Sequence, residues 1–227
     1  MNPYTVVYKE AVHHGVVIGV TLPEEKAQVP EAVLSQLHPD ERAFAASLRG
    51  FRKMHWVGAR LATATAFSVL GYGAPPVLSD PWGAPTSQHD LSISVSHKKH
   101  LAVAIVARSE HGSLGIDLED LAPDRMTIAD RVLRPEELRQ VKQMPEDRQW
   151  TSTLLRFSVK ESIYKALAPR QRRYIDFSEA EVTPNIDGTF AVNLHLEQGP
   201  YPAEIEARYT WINRSVLTTV RARWPGR

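Results

Sequence analysis

The chain has 227 residues, 23% of them charged and 43% hydrophobic, a globular composition with length enough for one large domain or two small ones, which excludes disorder and fibrous low complexity. With 27 basic against 26 acidic side chains the net charge is +1, so no global field draws the protein to nucleic acid or an anionic membrane. Cysteine is absent, which removes disulfides and thiolate zinc sites and points to a cytoplasmic protein.

The opening "MNPYTVVYKEAVHHGVVIGV" breaks its apolar residues with Lys9, Glu10, His13 and His14, unlike a signal peptide. No stretch reaches the roughly 18 apolar residues of a membrane span. β-Branched clusters predict strands at residues 5–10 and 13–22, and residues 30–71 read as helix, with Met54, Val57, Leu61 and Phe67 on an apolar face and Gly71 as its stop. Pro75, Pro76, Pro81 and Pro85 then make a loop. "LSISVSH" (91–97) alternates apolar and serine residues with the period of a half-buried strand, and it should pair as a hairpin with "LAVAIVA" (101–107). A third strand, "LGIDLED" (114–120), leads into helices at 134–142 and 150–168, and strands return at 190–196, 205–212 and 215–224. Each half is thus a helical part set against antiparallel strands, an α+β pattern with a twofold rhythm.

Chemistry concentrates at "GIDLED". Side chains two apart in a strand share a face, so Asp117 and Glu119 point one way and Ile116 and Leu118 the other. Taken alone, the pair also suits a strand end facing water. In "FSVKESIYKAL", helical spacing puts Leu155, Val159, Ser162, Ile163 and Ala166 on one face and Glu161 with Lys165 on another, with Ser158 near them. Taken alone, Glu161 and Lys165 equally make an ordinary i,i+4 surface pair. Together, Asp117, Glu119 and Glu161 are the hard oxygen donors that Mg²⁺ uses, and Lys160, Lys165 and His97 add cationic donors, a set suited to phosphoryl-group chemistry. A P-loop, a dinucleotide fingerprint and a G-x-S-x-G elbow are all absent from the sequence. "HKKH" (97–100), with no third nearby ligand, reads as a solvated turn and not a zinc site.

"GIDLE" followed some forty residues later by "FSVKESIYKA" resembles the paired signature of the 4′-phosphopantetheinyl transferases, in particular the Sfp-like and enterobactin-type group. "SVSH" (94–97) looks like the family's Ser-His element, "WGAP" (82–85) like its adenine loop, and "RKMHWVGARLATATA" like its arginine-bearing helix. The resemblance implies a pseudo-twofold α+β enzyme, with an N-terminal lobe over 1–109 for the nucleotide end, a C-terminal lobe over 110–227 for metal and catalysis, and coenzyme A in the cleft between them. It implies that Asp117, Glu119 and Glu161 hold Mg²⁺, or Mn²⁺, against the pyrophosphate, while Lys165, supported by Lys160, stabilises the breaking pyrophosphate. Arg52, Arg60, Ser96 and His97 would contact coenzyme A phosphates, and Gly83, Ala84 and Pro85 would pass by the adenine. Glu161, directly or through a metal-bound water, would take the proton of the serine of an apo carrier protein, and 3′,5′-ADP would leave. Phe157 and Ser94 stand where many Sfp-like members have Trp and Asn, which leans toward the enterobactin-type subgroup, and Ala84 stands where a basic residue is common.

Arg170, Arg172 and Arg173, beside Tyr174 and Phe177, suit either a solvated loop or a docking patch for the acidic helix of a carrier, a salt-sensitive contact. The expected enzyme is a monomer that binds coenzyme A and a carrier, without nucleic acid or a membrane span. The competing reading is a non-catalytic carrier-protein or nucleotide-binding module of the same fold, which should have lost at least one of Asp117, Glu119, Glu161 or Lys165.

Overall fold

In a computed structural model that describes residues 2–23, 28–86 and 90–225, the chain divides into two units, Met1–Leu114 and Gly115–Arg227. In the first unit, β1 (Val6–Val12), β2 (Gly15–Thr21), β5 (Leu91–His97) and β6 (Leu101–Arg108) form an antiparallel sheet in the order β1-β2-β6-β5. The hairpin expected over 91–107 forms, with His97 opposite Ala102 and Ser96 opposite Val103. β6 is the apolar centre, buried along all but its last residue. Its cover is α3 (Gly50–Val69), which packs on β2 and β6 and buries Met54, Val57, Ala62, Ala66 and Phe67.

The single helix expected over 30–71 is in fact three: α1 (Glu31–Leu34), α2 (Pro39–Ser47) and α3. Two local causes account for the breaks. Pro39 has no N–H to continue a helix but suits a first turn, and there the His38 ring accepts from Asp40 N at 3.3 Å while His38 N donates to Glu41 at 3.2 Å. Leu48 and Arg49 then adopt extended backbone before α3. Within the proline-rich loop, β3 (Leu78–Ser79) pairs with β4 (Pro85–Thr86).

In the second unit, β7 (Ser113–Asp120), β8 (Ala180–Pro184), β9 (Thr189–Leu194), β10 (Glu204–Ile212) and β11 (Ser215–Arg223) form a sheet in the order β7-β11-β10-β9-β8. The helices are α4 (Ala129–Val132), α5 (Pro135–Lys142) and α6 (Glu146–Gln171). Sequence patterning missed β8, a short strand ending in Pro184, and set the start of α6 four residues late. α6 crosses β11 and β8 and buries Leu154, Leu155, Val159, Ile163, Ala166 and Leu167. Side chains of this size contribute about 1.5–3 kcal/mol each when fully buried, less for alanine, so the sheet fixes the helix that carries Glu161 and Lys165. No described helix is long and apolar enough to cross a membrane.

Candidate functional site

The site starts from a missing side chain. A Cβ at Gly115 would lie 1.8 Å from the Ser162 carbonyl oxygen and 3.0 Å from Ala166 N, so only glycine lets the α6 backbone lie against β7 here. Asp117 and Glu119 share that face of the strand, and both are buried, as are Ile116 and Leu118 on the other. Water therefore does not solvate these acids, and a buried carboxylate needs donors and positive charge.

Asp117 has both. Lys165 Nζ donates to its Oδ1 at 2.8 Å and to the Ile116 carbonyl at 2.9 Å, while Ser158 Oγ donates to its Oδ2 at 2.9 Å. Behind it lie three hydroxyls, each with one proton to donate. Thr218 donates to the Ser158 carbonyl at 3.0 Å and Ser158 donates to Asp117, while Ser162 Oγ lies 2.7 Å from Thr218 Oγ1 and 3.2 Å from the Thr218 carbonyl oxygen. This relay joins β7, α6 and β11 around one carboxylate; Thr218 carries no sequence signal for it.

Glu119 Oε2 accepts from Arg125 Nη2 at 2.8 Å, a partner absent from the sequence reading. Arg125 lies 5.8 Å from the Trp150 ring centroid, and Trp150 Nε1 donates to the Leu121 carbonyl at 2.5 Å. Glu161, half-buried, is on the same helix one turn before Lys165. Among the described residues, the oxygens of Asp117, Glu119 and Glu161 do not all lie within 4.8 Å of one another. Two of the acids are instead held by side-chain cations.

Lys160 corrects an expectation. Its side chain is 1% exposed, and its ammonium spends its three donors on Glu137 Oε2 at 2.5 Å, the Val132 carbonyl at 2.9 Å and the Phe177 carbonyl at 3.1 Å. Burial pushes its pKa down, opposed by Glu137. Glu137 in turn accepts from Arg134 N at 2.8 Å and Val182 N at 2.7 Å. Lys160 is therefore an internal tie between α6, α4, α5 and the 177–182 segment, with no donor left for a phosphate. Next to it, a small pocket is lined by Glu161 together with Tyr164, Tyr174, Ile175 and Phe177.

The arginine run splits as well. Arg173 makes two bonds to Glu179, at 2.8 and 2.5 Å, and others to the Tyr174 and Gln198 carbonyls, and this pairing holds the Glu179 carboxyl down at about 2. It is a fold element, not an open docking cation. Arg170 and Arg172 are exposed, with Arg170 lying 5.9 Å from the Trp224 ring centroid.

In the first unit, Arg60 is 3% exposed, lies over Trp56 at 4.6 Å and has its Nε 4.0 Å from Glu41. Burial lowers its pKa to about 10. It belongs to the interior of its unit, whereas Arg52 is exposed. His97 is exposed at the end of β5, with its ring 4.3 Å from that of His55, a neighbour that sequence reasoning did not single out; Ser96 is buried. Gly83 and Ala84 lie in the turn between β3 and β4, where Asp80 Oδ1 accepts from Trp82 N and Ala84 N, both at 2.8 Å, and Pro85 opens β4 opposite Ser79. Gly83, at φ 86°, supplies the left-handed residue of that turn.

The second unit thus holds a buried acid pair on a strand, served by a helical lysine and serine, with a glutamate on the same helix, in an α+β fold. Comparison with known proteins names the family. The 4′-phosphopantetheinyl transferase superfamily matches residues 113–220 and the 4′-phosphopantetheinyl transferase N-terminal domain matches residues 40–107, and the chain belongs to this superfamily. It is 32% identical over 184 residues to 4′-phosphopantetheinyl transferase Svp of Streptomyces mobaraensis, covering 75% of this chain and 70% of that protein. It is 27% identical to 4′-phosphopantetheinyl transferase PptT of Mycobacterium tuberculosis (82% and 79% covered) and 28% identical to enterobactin synthase component D of Salmonella austin (77% and 74% covered). The protein is thus a transferase that moves phosphopantetheine from coenzyme A to carrier proteins.

Proposed function

We propose that Asp117, Glu119 and Glu161 ligate a Mg²⁺ ion, replaceable by Mn²⁺, and that this cluster is where the pyrophosphate of coenzyme A is cleaved. The observation that carries the reading is the buried Asp117–Glu119 pair, whose two negative charges draw cations in the structure itself, Lys165 at 2.8 Å and Arg125 at 2.8 Å. An all-carboxylate donor set fits a hard divalent ion, which when bound neutralises charge on the pyrophosphate.

Glu161 takes the proton of the carrier serine hydroxyl, a poor nucleophile without a positioned base. The serine oxygen forms a bond to the β-phosphorus as the bridging bond to the α-phosphate breaks, and 3′,5′-ADP leaves. Lys165 is held by Asp117 and the Ile116 carbonyl, so its charge is placed before the leaving group develops its own. Arg52, Ser96, His97 and residues 83–85 are read as contacts for the nucleotide end, and exposed Arg170 and Arg172 as cations for an acidic carrier helix. The enzyme is read as a cytoplasmic monomer. Similarity to an enterobactin synthase component supports carriers of siderophore or other secondary-metabolite synthases.

The test is incubation of purified protein with coenzyme A, Mg²⁺ and a panel of apo carriers, followed by mass spectrometry. One added phosphopantetheine, lost on chelation and in Asp117→Ala, is expected. Transfer that survives both treatments would refute the metal assignment.

A further inference from the structure

Arg125 is a cation bonded to the acid pair that the transfer reading leaves without a task. It sits in the loop after β7, 41% exposed, and reaches Glu119, which is 7% exposed, through a single Nη2 contact. Its Nε is buried without a hydrogen-bond partner. Arginine–carboxylate pairs are strongest when two N–H groups bind in parallel, so this one supplies Glu119 with charge more than with geometry. The Trp150 bond to the Leu121 carbonyl ties down the start of the loop, and the Trp150 ring lies beside the guanidinium, which keeps the arginine within reach. A buried carboxylate couples strongly to any nearby charge because little water screens it.

From this we infer that Arg125 is a resident competitor for Glu119, a positioning residue that holds the carboxylate while no ion is bound and lowers the affinity of the site for divalent cations. The inference rests on the reading that Asp117, Glu119 and Glu161 are the ligands. Positive charge next to a cation site repels the incoming ion, and a pair that must be given up on binding subtracts its own strength from the affinity.

The test needs neither coenzyme A nor carrier. Free Mn²⁺ is followed by electron paramagnetic resonance during titration of wild type, Arg125→Gln, Arg125→Met, Arg125→Lys and Asp117→Asn. Both neutral Arg125 variants should bind Mn²⁺ about tenfold more tightly, Arg125→Lys should stay near wild type, and Asp117→Asn should lose binding. Melting curves accompany the titrations, and two neutral side chains guard against one that folds poorly. Unchanged or weaker Mn²⁺ affinity in both neutral variants, with wild-type binding that Asp117→Asn abolishes, overturns the inference and leaves the ligand reading standing. Absence of Mn²⁺ binding in every form overturns both.

Discussion

Gly115→Ala isolates the contact on which the site geometry depends. The added methyl carbon would sit 1.8 Å from the Ser162 carbonyl oxygen and 2.7 Å from the carbonyl carbon, backbone atoms that no rotamer change can clear. A carbon normally approaches an oxygen no closer than roughly 3.3 Å, so α6 must retreat by roughly 1.5 Å. Overpacking costs roughly 1–3 kcal/mol, and a backbone obstacle belongs at the upper end. For a chain of this size that corresponds to a melting temperature lower by roughly 6–12 °C. The same retreat carries Glu161 and Lys165 away from β7, and a displacement of about 1 Å at reacting groups costs about 100-fold in rate. Differential scanning calorimetry and single-turnover transfer, measured on one preparation, read the two effects. Wild-type melting together with wild-type turnover would refute the claim that α6 is seated against Gly115.

Lys165→Ala should lower kcat by about 100-fold or more while the Kd for coenzyme A moves only a few-fold, and equal losses would make it a binding residue. Removing the Lys160 amine leaves Glu137 buried without its counter-charge, so Lys160→Met should cost about 3–5 kcal/mol in denaturant unfolding; a raised KM for coenzyme A at full stability would restore Lys160 to the substrate. Because Arg173 holds the Glu179 carboxyl at about 2, the pair stabilises the fold above the unfolded carboxylate range, and that contribution falls away as pH drops from about 4.5 to about 2, by about 1–2 kcal/mol after solvent screening. Glu179→Gln should flatten that limb of the acid unfolding curve, and an unaltered limb would discount the pair. Arg172→Glu should raise the KM for carrier alone, whereas Arg173→Glu should lower stability; the opposite assignment would move the docking contact to Arg173.

Local rules made much of this readable in advance. The alternation of 91–97 specified its hairpin, and helical spacing in 155–166 separated the buried face from Glu161 and Lys165. What could not be read was pairing across the fold. α6 is buried on several sides, so Arg156 and Lys160, which look like surface residues in a helical pattern, lie inside with Gln140 and Glu137 from α5 as partners. Nothing in the spacing of Glu119 and Arg125 reports that the loop brings them together. Pro39 did signal a helix start, but the long apolar periodicity on either side of it masked the breaks.

The central claim is that Asp117, Glu119 and Glu161 serve one ion. Crystals grown with coenzyme A and Mn²⁺, with anomalous differences recorded near the manganese edge, address it directly. A single anomalous peak in contact with carboxylate oxygens of all three residues is the expected result, and a bound coenzyme A with no such peak, or a peak that leaves out Asp117 or Glu119, would contradict it.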